Sequence, residues 1–200
     1  MRAPVVLKVG GSLLDWPGFP TTLESYLQGR RAERLLAVIG GGSITDIVRR
    51  LDRLHGLGDE RSHHLALRSL DLTAQLLAAM VPSLVVIERF ESLGPVWEAS
   101  KVPLLAPRAF LDEDDAQSSD PLPHNWEVTS DSIAARVADR LESPELVLLK
   151  SAPLPPGTDR RVASRLGLVD PVFPEAARRL DRVLYLNLRE SRADPTLLPP

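Results

Sequence analysis

Short, continuously hydrophobic runs alternate along the chain with stretches that repeat at helical spacing. Val5-Val6-Leu7-Lys8-Val9, Leu35-Leu36-Ala37-Val38-Ile39, Leu84-Val85-Val86-Ile87 and Val102-Pro103-Leu104-Leu105 are four such runs. Leu146-Val147-Leu148-Leu149-Lys150 and Val183-Leu184-Tyr185-Leu186 follow. Runs this short with little polar alternation read as strands buried on both faces. Between them, residues 20–30 carry a weak helical pattern. Ile44, Ile47, Val48, Leu51 and Leu54 mark one face of a stronger helix, opened by Ser43 and Asp46 as a capping box. Residues 60–80 form a long helix with His63, His64 and Asp71 on it, and a further helical stretch joins the third and fourth strands. Thr129-Ser130-Asp131 opens a helix through Ile133, Ala134, Val137 and Leu141, and a short helix lies near 174–181. The Asp-, Ser- and Pro-rich segment 112–125 reads as a long loop, and Pro153, Pro155 and Pro156 mark another. Strands alternating with helices predict an α/β fold, a three-layer α-β-α sandwich with a largely parallel central sheet. The 200 residues fit a single domain over 1–200.

Composition narrows the function classes. No stretch approaches the roughly 18–20 apolar residues of a membrane helix, and the first residues lack signal-peptide architecture. The expected location is cytoplasmic, with no membrane partner. Without cysteine there is no thiolate metal site or Cys nucleophile. A net charge of -3 leaves no basic footprint for nucleic acid. The run Asp112-Glu113-Asp114-Asp115 reads as a solvated loop. His63 and His64 are neighbours on a helix and point about 100° apart, so they form no metal pair by themselves. No metal-ligand set is therefore expected.

Of the 24 basic residues only Lys8, Lys101 and Lys150 are lysines. Lys8 precedes Gly10-Gly11-Ser12 at the end of the first strand, and Lys150 closes the fifth. Open α/β sheets bind ligands at the carboxyl ends of their strands. An ammonium there either reaches solvent or meets an anionic ligand, because burying it alone is costly. Gly10-Gly11-Ser12 and Gly40-Gly41-Gly42 end two strands; such turns let backbone amides approach a phosphate, or they are simply tight. Neither is a Walker A loop or a G-x-G-x-x-G fingerprint. Asp131 lies in the first turn of its helix, where the dipole alone favours a carboxylate. Its alternative task is to position lysines or a metal-bound phosphate. Lys101, at a strand start, reads as surface charge.

Taken in order, Val6-Leu7-Lys8-Val9-Gly10-Gly11-Ser12, Gly40-Gly41-Gly42 and Thr129-Ser130-Asp131-Ser132-Ile133-Ala134-Ala135 resemble the amino acid kinase family. Length, Ser62-His63-His64 with Asp71, Trp126-Glu127-Val128 before the third motif, and Gly167-Leu168-Val169-Asp170-Pro171 are most similar to one branch. That branch phosphorylates aminomethyl-furanmethanol phosphate to the diphosphate in methanofuran biosynthesis. The resemblance implies ATP and Mg²⁺, a small phosphorylated acceptor and a homo-oligomer, dimer or larger. It implies Lys8, Asp131 and Lys150 as catalytic groups, and Gly10, Gly11, Ser12 and Lys150 at the nucleotide. Gly40, Gly41, Gly42, His64, Asp71 and Ser130 fall on the acceptor side. The loop after the fifth strand reads Ser151-Ala152-Pro153-Leu154-Pro155-Pro156-Gly157-Thr158-Asp159, without the family's Asp-Gly. Arg160 or Arg161 is a candidate replacement cation there. Two alternatives follow: a non-catalytic nucleotide- or oxyanion-binding protein on the same fold, or a kinase of a carboxylate acceptor. Arg49 and Arg50 read as too far along their helix to clamp such a carboxylate.

Overall fold

The computed structural model describes residues 3–190 and 194–200. One sheet runs in the order β3-β4-β2-β1-β5-β6-β7, with β1 Val5–Val9, β2 Leu35–Ile39, β3 Leu84–Ile87 and β4 Val102–Leu105. The remaining strands are β5 Leu146–Lys150, β6 Val183–Asn187 and β7 Thr196–Leu197. All pairings are parallel except β6 with β7. Side chains alternate across the central strands and so feed two cores. Val6, Leu36 and Val38 pack on one face, and Leu7, Val9, Ala37 and Ile39 on the other.

Helices close both faces, which gives the expected three layers. Ile133, Ala134 and Val137 of α6 (Ser130–Arg140) cover the first core, joined by α4 (Leu93–Glu98) and α5 (Pro107–Gln117). Phe19, Leu23 and Leu27 of α1 (Phe19–Gly29) cover the second. The long α3 (Asp59–Met80) contributes Leu67 and Leu70 to the first core, and Ala74 and Leu77 to the second. Helix α2 (Gly42–His55) lies against α3 and buries no residue of its own.

Some local expectations are overturned. Helix α2 starts one residue early, with Gly41 as its N-cap and no side-chain capping bond, so Ser43 and Asp46 form no capping box. The acidic run is helical: Asp112–Gln117 completes α5, because Leu111 and Asp114 share a buried side with Pro107. Asp114 is buried and paired with Arg140 at 2.5 Å, so it ties α5 to α6 rather than facing water. The Pro-rich loop ends in α7 (Arg160–Arg165), capped by the Asp159 carboxylate on the Val162 N–H, and α8 is shorter than expected at Phe173–Ala176. Arg160 is fully buried and donates to the carbonyls of Leu198, Ala177 and Leu180. It binds the C-terminal segments together and replaces no nucleotide-side cation.

Strand β1 has β2 on one side and β5 on the other. The chain grows from β2 to one sheet edge and from β5 to the other, so a crevice opens above the carboxyl ends of β1 and β5. A helix feeding a parallel strand runs antiparallel to it. The N-terminus of α6 therefore lies at this same carboxyl edge, as does the start of α2 after β2.

Candidate active site

Three charged side chains meet in the crevice. Lys8 Nζ stands 2.8 Å from Asp131 Oδ1, with both side chains about 5% exposed (5% and 6%). Lys150 Nζ is also 2.8 Å from Oδ1, and donates to Oδ2 at 2.8 Å and to the Leu168 carbonyl at 2.7 Å. The fold thus brings Lys8, Asp131 and Lys150 into contact from β1, α6 and β5. Two ammonium groups share one carboxylate, which leaves a net charge of +1 in a nearly dry place. Burial pushes the Asp131 carboxyl up, but Lys150 and then Lys8 outweigh it and hold its pKa at about 2. Burial pulls the Lys150 ammonium down to about 8; Asp131 opposes that shift and Lys8 adds to it.

Asp131 owes its position to a residue that sequence reasoning quoted without assigning a task. Asp170 accepts six hydrogen bonds: from the Thr129 and Ser132 amides and hydroxyls, and from the Val172 and Phe173 amides. Its carboxylate clamps the first turn of α6 onto the 168–173 segment, whose Leu168 carbonyl holds Lys150. Thr129 also caps α6 by accepting from the Asp131 amide. Burial, and then the Asp131 charge, push the Asp170 carboxyl up, while the bonds from Ser132 and Thr129 pull it down.

The two glycine turns touch each other. A Cβ on Gly11 would lie 2.3 Å from the Gly42 amide nitrogen, and one on Gly40 would lie 2.7 Å from Ser130 Oγ. Gly42 also has φ +53°, in the left-handed region. These glycines are therefore needed first so that the β1 and β2 turns can approach each other and α6. Beside them lies a cavity of about 200 Å³. Gly11 and Ser12, expected at the nucleotide, line it together with Gly40, Gly41, Gly42 and Ser130, expected on the acceptor side; Gly10 does not. Ser12 Oγ also meets Ser151 Oγ at 2.8 Å, joining the β1 turn to the loop after β5.

Other assignments fall elsewhere. His63, not His64, lines the cavity; His64 is exposed and pairs with Glu60 at 3.2 Å. Asp71 is outside the lining and accepts from the Arg108 amide and Nε. Arg49 reaches the cavity after all, with its guanidinium 4.8 Å above the Trp126 ring. Its Nε is buried without a hydrogen-bond partner. Trp126 is fixed by donating to Asp52 at 2.7 Å. Burial and then the neighbouring histidines lower His63 to about 4, so its imidazole is neutral. Asp131 is committed to two ammonium groups, so these residues do not form a protein-held Mg²⁺ site. Among the described residues no helix is long and apolar enough to cross a membrane.

The fold is similar to that of uridylate kinases of known structure. The Ureaplasma parvum UMP kinase superposes with a TM-score of 0.65 at 14% identity, covering 96% of this chain and 93% of that one. The Bacillus anthracis UMP kinase gives 0.64 at 14% identity, covering 96% and 90%. The Archaeoglobus fulgidus uridylate kinase gives 0.53 at 20% identity, covering 78% and 70%. No family model matches the chain. The likeness to these kinases is one of fold. In sequence, the chain is similar to the [5-(aminomethyl)furan-3-yl]methyl phosphate kinase of Methanocaldococcus jannaschii, at 26% identity over 144 residues. The match covers 72% of this chain and 63% of the relative's length.

Proposed function

We propose that the protein is an ATP-dependent kinase of a small phosphorylated acceptor. The observation that carries this reading is the Lys8–Asp131–Lys150 cluster, with its buried excess of one positive charge beside a cavity walled by two glycine turns. Phosphoryl transfer asks a protein mainly for positioning and for charge aimed at the moving group's oxygens. Lys8 and Lys150 supply that charge, and Asp131 keeps the two ammonium groups together against their repulsion. The acceptor lies in the cavity, and the nucleotide lies toward Ser12, Lys150 and the loop from Ser151. An oxygen of the acceptor phosphate attacks the γ-phosphorus of ATP, the bond to the β-phosphate oxygen breaks, and ADP leaves with that electron pair. No general base is required, because a phosphate monoester is already ionised at neutral pH. Mg²⁺ belongs to the nucleotide's phosphates in this scheme, and no step is assigned to it.

The likeness to the archaeal enzyme supports an aminomethyl-furanmethanol phosphate as acceptor, giving the diphosphate. Arg49, stacked on Trp126 with Nε unpartnered, favours a second reading in which the acceptor carries a carboxylate. Initial rates of ADP formation with a panel of acceptors test both. The furan phosphate is expected to be turned over at least tenfold faster than UMP or N-acetylglutamate. Preference for a carboxylate overturns the acceptor assignment, and ATP binding without turnover of any acceptor overturns the kinase. Self-association completes the proposal. Ile47, Leu51 and Leu54 on α2 and Leu65, Leu72, Leu76 and Met80 on α3 leave large apolar side chains exposed on adjacent helices.

A further inference from the structure

Away from the lysine cluster, three side chains converge that are remote in sequence. His63 comes from α3, Asp115 from the last turn of α5, and His124 from the loop that follows. One potential ligand atom of each lies within 4.8 Å of the others. Asp115 Oδ1 is buried and has no hydrogen-bond partner, while Oδ2 stands 2.8 Å from His124 Nε2. His63 is 8% exposed and, among the described residues, neither ring nitrogen makes a hydrogen bond; it meets His124 face to face at 4.2 Å. A buried carboxylate oxygen left without a partner is costly unless something joins it, and the His63 ring beside it has nitrogens free to bind.

We propose that His63, Asp115 and His124 bind one divalent cation of the zinc class. Two imidazoles and a carboxylate form a nitrogen-rich donor set suited to Zn²⁺ or a similar first-row ion, rather than to oxygen-seeking Mg²⁺ or Ca²⁺. The outer partner is already in place. Glu60 contacts His124 Nδ1 at 3.0 and 3.1 Å, which fixes that nitrogen as the protonated one and turns Nε2 toward the cation. Ligand atoms around a tetrahedral ion at about 2.0–2.1 Å bond length sit roughly 3.3 Å apart. The His124–Asp115 pair opens slightly to reach that spacing. The His63 ring turns out of its stack, and it loses no hydrogen bond in doing so. Three protein ligands leave a fourth position for water or for an oxygen of a molecule in the cavity that His63 lines. The ion pins the 118–129 loop, with Asn125 and Trp126 at the cavity wall, to α3 and α5. His64 takes no part, in keeping with the two neighbouring histidines forming no metal pair by themselves; Asp115 and His124 reach His63 only through the tertiary fold.

The site is independent of the kinase reading, and its test needs no turnover. Untagged protein is stripped with a chelator, desalted and titrated with Zn²⁺ and with Co²⁺. The expected result is one equivalent bound per chain, a raised melting temperature, and intense visible absorption from low-symmetry Co²⁺ with nitrogen ligands. His63→Ala, Asp115→Asn and His124→Ala are each expected to weaken binding at least tenfold, while His55→Ala leaves it unchanged. No bound equivalent, or equal binding in the three ligand variants, overturns the site. The wild-type Co²⁺ spectrum decides even if a variant misfolds: absorption no stronger than that of the hydrated ion overturns it.

Discussion

Lys150 is the residue whose protonation the proposed chemistry feels first. Its ammonium is pulled down to about 8, so the site loses a positive charge as the pH rises through that value. The kcat/KM, which reports the free protein, is expected to fall above pH 8, approaching tenfold per unit. Lys150→Arg keeps its charge and should remove that limb from the pH–rate profile, at a lower plateau because a guanidinium fork does not fit an ammonium's place. An unchanged limb in the variant contradicts the assignment. Asp131 governs stability instead. Its folded pKa of about 2 lies below its ordinary 3.8, so the stability it contributes is complete above 3.8 and lost as pH falls through about 2. Asp131→Asn leaves two ammonium groups facing each other in a buried place. A loss of about 3–5 kcal/mol is expected from urea unfolding at neutral pH, and unchanged stability argues against the buried pair.

Among elements, the first turn of α6 is the hinge of the account, since it holds Asp131 and is itself held by Asp170. Removing a carboxylate that accepts six hydrogen bonds leaves several buried donors unpaired. Asp170→Ala is expected to cost on the order of 3 kcal/mol or more, read by denaturant unfolding. Asp170→Asn, which keeps one acceptor, should lose less. Equal, negligible losses in both would mean that α6 is held by packing alone. This element also marks the border of what could be read in the sequence. Lys8, Lys150 and the glycine turns were legible because buried strands and strand-end turns have a local signature. Asp131 was legible as a first-turn acid. Asp170 was not: it closes a contact across 38 residues with Ser132, and nothing in its local pattern announces that. The same holds for Arg49, set aside on helical distance until the loop bearing Trp126 folds over α2. His63 and Asp115 likewise meet only after α3, α5 and the following loop pack. The acidic run failed in the opposite direction, because polarity hid a helix whose Asp114 faces inward.

For the whole molecule, layer order and strand direction followed from the alternation of runs and repeats, whereas the antiparallel β7 did not. Two residues, Thr196 and Leu197, are too short to carry a pattern. What the sheet does not consume is the apolar surface of α2 and α3. With Leu54 at 70% and Ile47 at 50% exposed, this pair of helices is the face expected to bury itself in a homo-oligomer. Light scattering after size exclusion should give at least a dimer, and Leu54→Glu with Leu76→Glu should yield monomers with an unchanged far-ultraviolet spectrum. A wild-type monomer across micromolar concentrations contradicts self-association.

The central claim is phosphoryl transfer to an acceptor phosphate at the Lys8–Asp131–Lys150 cluster, and ³¹P NMR of the reaction tests it most directly. Wild-type protein is incubated with ATP, Mg²⁺ and aminomethyl-furanmethanol phosphate, beside Lys8→Ala at equal concentration. The account predicts coupled diphosphate resonances of the acceptor growing in step with ADP. It predicts a rate lower by about 10²–10³-fold in the variant, the usual effect of removing one transition-state charge contact. ADP with inorganic phosphate and no acceptor diphosphate, or equal rates in the two proteins, would contradict it.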